Sequence, residues 1–238
     1  LGSAFRLLAD AEAAHGLDPR PSLRESIAQF ERALQVNPRY ANALYNRGIA
    51  YRSLGDADGP RGVDPRPSWG KALRDFDRAI ECNENHVDAY HHSASTYSEL
   101  GAAEADQGLD PRENFARAIA DFDEALRLDP SRRAYTDRGV TFLRLADANA
   151  ARGRDPGDGY ARAIADCDEA LTRNPRDGTA YDTRGLAHVR LGESAATEPE
   201  RAERFARAES DFRAAVQHRE PLGLLNLGDL YRLTGRWD

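Results

Sequence analysis

Three histidines, His86, His91 and His92, crowd one short stretch and are the first residues whose type suggests metal chemistry. Successive helical positions diverge by about 100°, so His91 and His92 cannot readily share one ion, and a surface or packing role is expected. The Asp-x-Asp runs Asp75/Asp77, Asp121/Asp123 and Asp166/Asp168 resemble metal- or sugar-nucleotide-binding pairs. On a helix the two members of each run point about 200° apart and cannot chelate together. Each run flanks a core position, so its aspartates are expected to be solvated on either side of a buried stripe. Gly70-Lys71 is followed by Ala72 and lacks both the Ser/Thr and the upstream glycine of a phosphate-binding loop. There is no Cys-x-x-Cys, no His-Glu-x-x-His, and no nucleophile–base set in a pocket-like context. The chain is therefore expected to have no catalytic residues, no metal, no cofactor and no enzymatic activity.

The composition narrows the class. The 238 residues carry 31% charged side chains and a net charge of −7, a balance that argues against nucleic acid as partner. No apolar run approaches the roughly 18 residues of a membrane span. Cys82 and Cys167 fall in separate helical patterns, which predicts free buried thiols, a reducing compartment and a cytoplasmic location. Lys71 is the only lysine among 33 Lys and Arg. With abundant Ala, Asp and Gly, this suggests a bacterial coding background. Methionine is absent, even at position 1, so the chain is expected to be a fragment of a longer protein.

The elements that would position any site are repeats. Gly2, Gly48, Ala94, Gly139, Gly185 and Gly228 recur at separations of 46, 46, 45, 46 and 43 residues. A second series runs Phe30, Phe76, Phe122, Cys167 and Phe212. Small residues flank it four before and three after, from Ser26/Ala33 to Ala208/Ala215. Those offsets place each trio on one helical face. One helix thus offers a glycine and the next a small–aromatic–small stripe, so two helices can approach closely with a ring between them. Asn37-Pro38, Asp129-Pro130 and Asn174-Pro175 close three of the second helices.

This order of glycine, aromatic, then Ala-Phe-Ala and a closing proline resembles the tetratricopeptide repeat over essentially the whole chain. Ala94, Cys167, His188 and Glu84 depart from the pattern. The resemblance implies an all-α, right-handed superhelical solenoid of antiparallel helix pairs, with about eleven helices. It forms a single domain over 1–238, with repeats at approximately 1–40 (partial), 41–86, 87–131, 132–177, 178–220 and 221–238 (partial).

The spacing exceeds the family's roughly 34 residues, and the excess lies at the hairpin within each pair. From Ala9, Gly55, Gly101 and Ala146 to Leu23, Trp69, Phe115 and Tyr160 is always 14 residues; from Gly192 to Phe205 it is 13, and from Gly235 to Trp237 only 2. The inserts begin with helix formers that should prolong the first helix. Gly16, Gly62, Gly108 and Gly153 then suit a left-handed cap. Asp18-Pro19, Asp64-Pro65, Asp110-Pro111 and Asp155-Pro156 offer an N-cap and a proline at the first helical position. Gly59-Pro60 should shorten the extension in its copy.

In the family the first helices line a concave groove. Its counterparts here are Asn42, Tyr45, Ile49, Arg52, His91, Ser95, Arg133, Thr136, Arg144, Asp182, Arg190 and Arg232. The lysines of a carboxylate clamp are missing beside Asn46 and Asn226. Arginine recurs near the end of the first helix at Arg6, Arg52, Arg144, Arg190 and Arg232. These cations either complement the helix C-terminus or form a positive stripe suited to an acidic peptide. The resemblance implies a scaffold holding a peptide or partner protein in the groove, with no nucleic acid and no membrane. Two alternatives stand beside it. One is a regulatory or sensory segment of a larger bacterial enzyme such as a serine/threonine kinase. The other is a structural spacer that self-associates through its ends.

Overall fold

The computed structural model describes residues 1–130 and 134–236. Among these there are eleven α-helices and no strand: α1 (Gly2–Ala14), α2 (Arg20–Val36), α3 (Ala41–Asp58), α4 (Arg66–Cys82), α5 (Val87–Asp106), α6 (Arg112–Leu128), α7 (Ala134–Ala150), α8 (Gly157–Arg173), α9 (Gly178–Glu193), α10 (Glu198–Gln217) and α11 (Gly223–Thr234). The chain is an all-α array of tetratricopeptide-like helix pairs. It divides into two compact units, Leu1–Gln107 with Ala116–Asp129, and Gly108–Phe115 with Pro130–Asp238. In the first unit α1 to α5 each pack on the next and α3 touches α5; in the second α7 to α11 each pack on the next, and α7 touches α9 and α9 touches α11.

The pairing rests on the predicted trios. Ala72, Phe76 and Ala79 are fully buried, as are Ala118, Phe122 and Ala125, and Ala208, Phe212 and Ala215. A Cβ placed on Gly48 would stand 2.6 Å from Cε1 of Phe76, and one on Gly2 would stand 2.8 Å from Cζ of Phe30. Only a residue without a side chain lets the ring lie flat on the facing backbone. The same device recurs one storey higher. Gly55 faces Trp69 and Gly192 faces Phe205, each with a notional Cβ 2.7 Å from the ring. Gly48 and Gly55 are two turns apart on α3, as are Phe76 and Trp69 on the antiparallel α4. The inserts therefore extend the packed interface rather than only the loop. Polar atoms close the upper storey: Trp69 Nε1 donates to Asp56 Oδ1 and Tyr160 Oη to Asp147 Oδ1, both at 2.8 Å.

The hairpin tips follow local rules. Gly16, Gly62, Gly108 and Gly153 all have φ between +68° and +75°, the left-handed conformation that ends a helix at little cost in glycine. Each following aspartate accepts a backbone N–H two residues on, from Asp18 with Arg20 (3.2 Å) to Asp155 with Gly157 (2.9 Å). In the Asp-Pro-Arg copies the arginine also folds back on that carboxylate; Arg20 reaches both Asp18 oxygens through Nε and Nη2. Gly59-Pro60 ends α3 at Asp58, and a single 3-10 turn, Gly59–Arg61, carries the chain onward. The extension is thus altered in type as well as in length. No helix among the described residues is long and apolar enough to cross a membrane.

Candidate interaction surface

The Asp-x-Asp runs are the largest departure from the sequence expectation. Both members were expected to be solvated, and this is corrected: Asp75 and Asp166 are buried at 3% and 6% exposure, and their equivalent in the last pair, Asp211, at 5%. Each is held by the arginine before the packing glycine. Arg47 donates to Asp75 through Nε (2.7 Å) and Nη2 (2.6 Å). Arg138 grips Asp166 at 2.8 and 2.6 Å, and Arg184 grips Asp211 at 3.0 and 2.6 Å. Two parallel charge-assisted bonds satisfy both carboxylate oxygens, and this makes burial of the charge tolerable. The signal was present in sequence. Arginine precedes the glycine and aspartate precedes the core residue in the same copies, 28, 28 and 27 residues apart. The second members, Asp77, Asp123 and Asp168, are exposed.

In the first unit, α3 and α5 bring several of the groove candidates together. Tyr45 is half-buried, with its ring 4.8 Å from that of His86 and 5.7 Å from that of His92. Arg52 Nη1 lies 3.3 Å from His92 Nδ1. The His91 and His92 rings meet edge-on at 5.5 Å; His91 turns to Phe122 and His92 to Phe76. Among the described residues no three His, Cys, Asp or Glu side chains converge as a metal site. Burial pushes His86 below the usual imidazole range, against the opposing pull of Asp88. Ile49 and Ser95 are half-buried beside this patch in sequence, and Asn42 is exposed.

In the second unit the candidates separate. Thr136 is buried and donates to Asp177 Oδ2 at 2.7 Å. Asp182 is buried and accepts from Asn226 Nδ2 at 2.7 Å, a bond that ties α9 to α11. Arg144 is half-buried, and Arg133 lies outside the described residues, as does Trp237. His188, where the pattern has a ring, is buried; burial and the nearby Arg204 and Arg207 push it down to about 4. Cys167 is buried and its thiol is pushed up by desolvation, whereas Cys82, expected to be buried, is half-exposed.

Arg190 and Arg232 do share a feature. They stand at a cleft of about 400 Å³ between α9 and α11, with the buried Phe212 and Leu230 beneath and Leu186, Val189 and Leu233 around it. The exposed Arg190, Glu193, Asp229 and Arg232 form its charged mouth. These arginines are already paired: Arg190 with Asp147 and Glu193 at 3.2 Å each, and Arg232 with Asp229. Arg6 likewise pairs with Asp10 at 2.9 Å. Arg6, Arg190 and Arg232 are thus each engaged in ion pairs within their own unit. They also occupy two registers, four residues after the glycine at Arg6, Arg52 and Arg232 and five after it at Arg144 and Arg190.

Comparison with known proteins agrees with this architecture. The family model described as a TPR repeat matches residues 22–55. No curated protein matches the chain. Among solved structures, that of pilF from Pseudomonas aeruginosa is similar with a TM-score of 0.60 and 12% identity, over 99% of this chain and 85% of that one. A thermophilic TPR protein of Thermus thermophilus gives 0.59 and 16% over 98% and 100%. A tetratricopeptide repeat protein of Parabacteroides merdae gives 0.57 and 17% over 99% and 74%. At these identities the likeness establishes the fold.

Proposed function

We propose that this chain, which has the tetratricopeptide-repeat fold of protein-interaction scaffolds, holds a peptide or partner protein along the first helices of its pairs. The observation that carries this reading is the α9–α11 cleft, with an apolar base and a mouth of opposed charges. Such a site suits one apolar side chain as anchor, with polar groups around it to fix register. The half-buried Tyr45, Arg52 and His92 offer a second contact area of the amphipathic residue types enriched at interfaces. Ligand charge is secondary here. An acidic peptide would have to displace Asp147, Glu193 or Asp229 from the arginines, and each exposed exchange is worth less than about 1 kcal/mol.

A photo-crosslinking residue at Leu233 should capture the partner, and one at the exposed Gln217 should not. The double change Leu233→Glu and Arg190→Glu should release it while leaving helix content intact. Undiminished capture by that variant would place binding elsewhere.

One observation favours self-association as a second reading. Leu224 and Leu225 on α11 are 69% and 61% exposed, and nothing lies within 4 Å of a Cβ built on Gly228. A sedimentation coefficient that rises with protein concentration, and no longer does so in Leu224→Lys, would support it; a concentration-independent monomer would exclude it.

A further inference from the structure

The arginine–aspartate clamp has one more part in the last pair. Arg184 holds Asp211 on its own partner helix, and its Nη1 also reaches Asp168 Oδ1 on the preceding α8 at 2.5 Å. One guanidinium thus sits between the aspartate before the core residue of one helix and the aspartate after it on the helix before. In the α5–α6 pair both aspartates are present at the equivalent positions, Asp121 before Phe122 and Asp77 after Phe76. The cation is not. Ser93 stands where three other copies have Arg47, Arg138 and Arg184.

The environment registers that loss. Ser93 is fully buried, and its Oγ closes no hydrogen bond. It lies toward the Asp121 carboxyl, the charged form of which it favours. Burial and the facing Asp77 push Asp121 up to about 6, with Glu124 adding to the effect. Asp77, although open to solvent on one side, is also raised, by partial desolvation and by Glu81. Arg117, one turn before Asp121, lowers both carboxylates through space, and its side chain also meets Tyr97. By equivalence with Asp168, Asp211 and Arg184, these two carboxylates and the buried hydroxyl flank the position that a guanidinium fills in the last pair.

We propose that Asp77, Asp121 and Ser93 form a seat for the guanidinium of an arginine side chain supplied by a binding partner. Arginine fits better than lysine. The filled seats are gripped through Nε and Nη2 together, a planar fork that an ammonium cannot reproduce. The seat belongs to the first unit and shares no residue with the α9–α11 cleft, so the two sites stand or fall separately.

The test is side-chain carboxyl NMR of the 238-residue chain titrated with N-acetyl-arginine amide. N-acetyl-lysine amide and potassium chloride at matched ionic strength serve as controls. The expected result is a saturable shift of the Asp121 and Asp77 carboxyls, with the Asp121 titration midpoint falling from about 6 toward the ordinary carboxylate range. The lysine analogue should bind at least several-fold more weakly. Asp121→Asn, nearly isosteric, should abolish saturation. Ser93→Arg should do the same by filling the seat from within, and if that variant does not fold, Asp121→Asn decides alone. No saturable shift, a shift that survives Asp121→Asn, or an equal response to lysine analogue or salt would overturn the proposal.

Discussion

A Cβ atom on Gly185 would stand 2.6 Å from Cε1 of Phe212, well inside contact distance, whereas one on Gly139 would meet Cys167 Sγ at 3.2 Å. The same repeat position is thus tight where the partner is a ring and looser where it is a thiol. At Gly228 a Cβ meets nothing within 4 Å.

These three glycines predict a graded series. Gly185→Ala should force α9 and α10 apart and lower stability by about 1–3 kcal/mol. Gly139→Ala should cost clearly less, because a contact at 3.2 Å needs a smaller displacement than one at 2.6 Å. Gly228→Ala should be neutral or stabilising by up to about 1 kcal/mol, since it removes helix-interior glycine without a clash. Melting temperatures of the three variants check the order, and a Gly228→Ala loss equal to that of Gly185→Ala would contradict it.

The buried pairs predict an asymmetry between removing one partner and removing both. Arg184→Ala leaves Asp211 buried without its cation, which should approach the roughly 3–5 kcal/mol seen when one member of a buried ion pair is lost. Replacing both, as Arg184→Met with Asp211→Leu, should recover much of that loss. Urea unfolding of the two variants against the parent measures the difference. Equal destabilisation by the single and the double change would show that the carboxylate is not the source of the cost.

Asp121 predicts a dependence on pH. Its folded value of about 6 lies above the roughly 3.9 of an unfolded aspartate. Between those values the folded chain retains a proton that the unfolded chain has released. Its contribution is therefore fully present below about pH 4 and lost as pH rises through about 6. Asp121→Asn should remove this part of the slope and raise stability at pH 7 by on the order of 1–3 kcal/mol. The check is the difference between variant and parent in unfolding free energy at pH 5 and pH 7, and an unchanged difference would refute it.

The hairpin tips predict backbone strain without a clash. Gly153 has φ of +68° and no neighbour within 4 Å of a notional Cβ. Gly153→Ala should nonetheless cost about 1–2 kcal/mol, because an L-residue resists the left-handed conformation. An alanine variant as stable as the parent would mean that the loop adopts another cap.

The sequence by itself determined the repeat, the helix pairing and the hairpin caps. All three depend on short-range spacing: four and three residues for one helical face, glycine then Asp-Pro for a stop and a start. It also located Gly55 and Trp69, although only as landmarks bounding the inserts, and their contact appears once the two helices lie side by side. The tertiary structure alone decided which aspartate of each Asp-x-Asp run is buried. Helical periodicity shows that Asp75 and Asp77 point apart, but not which of them faces Arg47 on the neighbouring helix. The α9–α11 cleft and the unfilled clamp at Ser93 likewise depend on side chains on separate helices, such as Asp182 and Asn226, 44 positions apart. Their burial is set by how helices stack, and that information resides in no single segment.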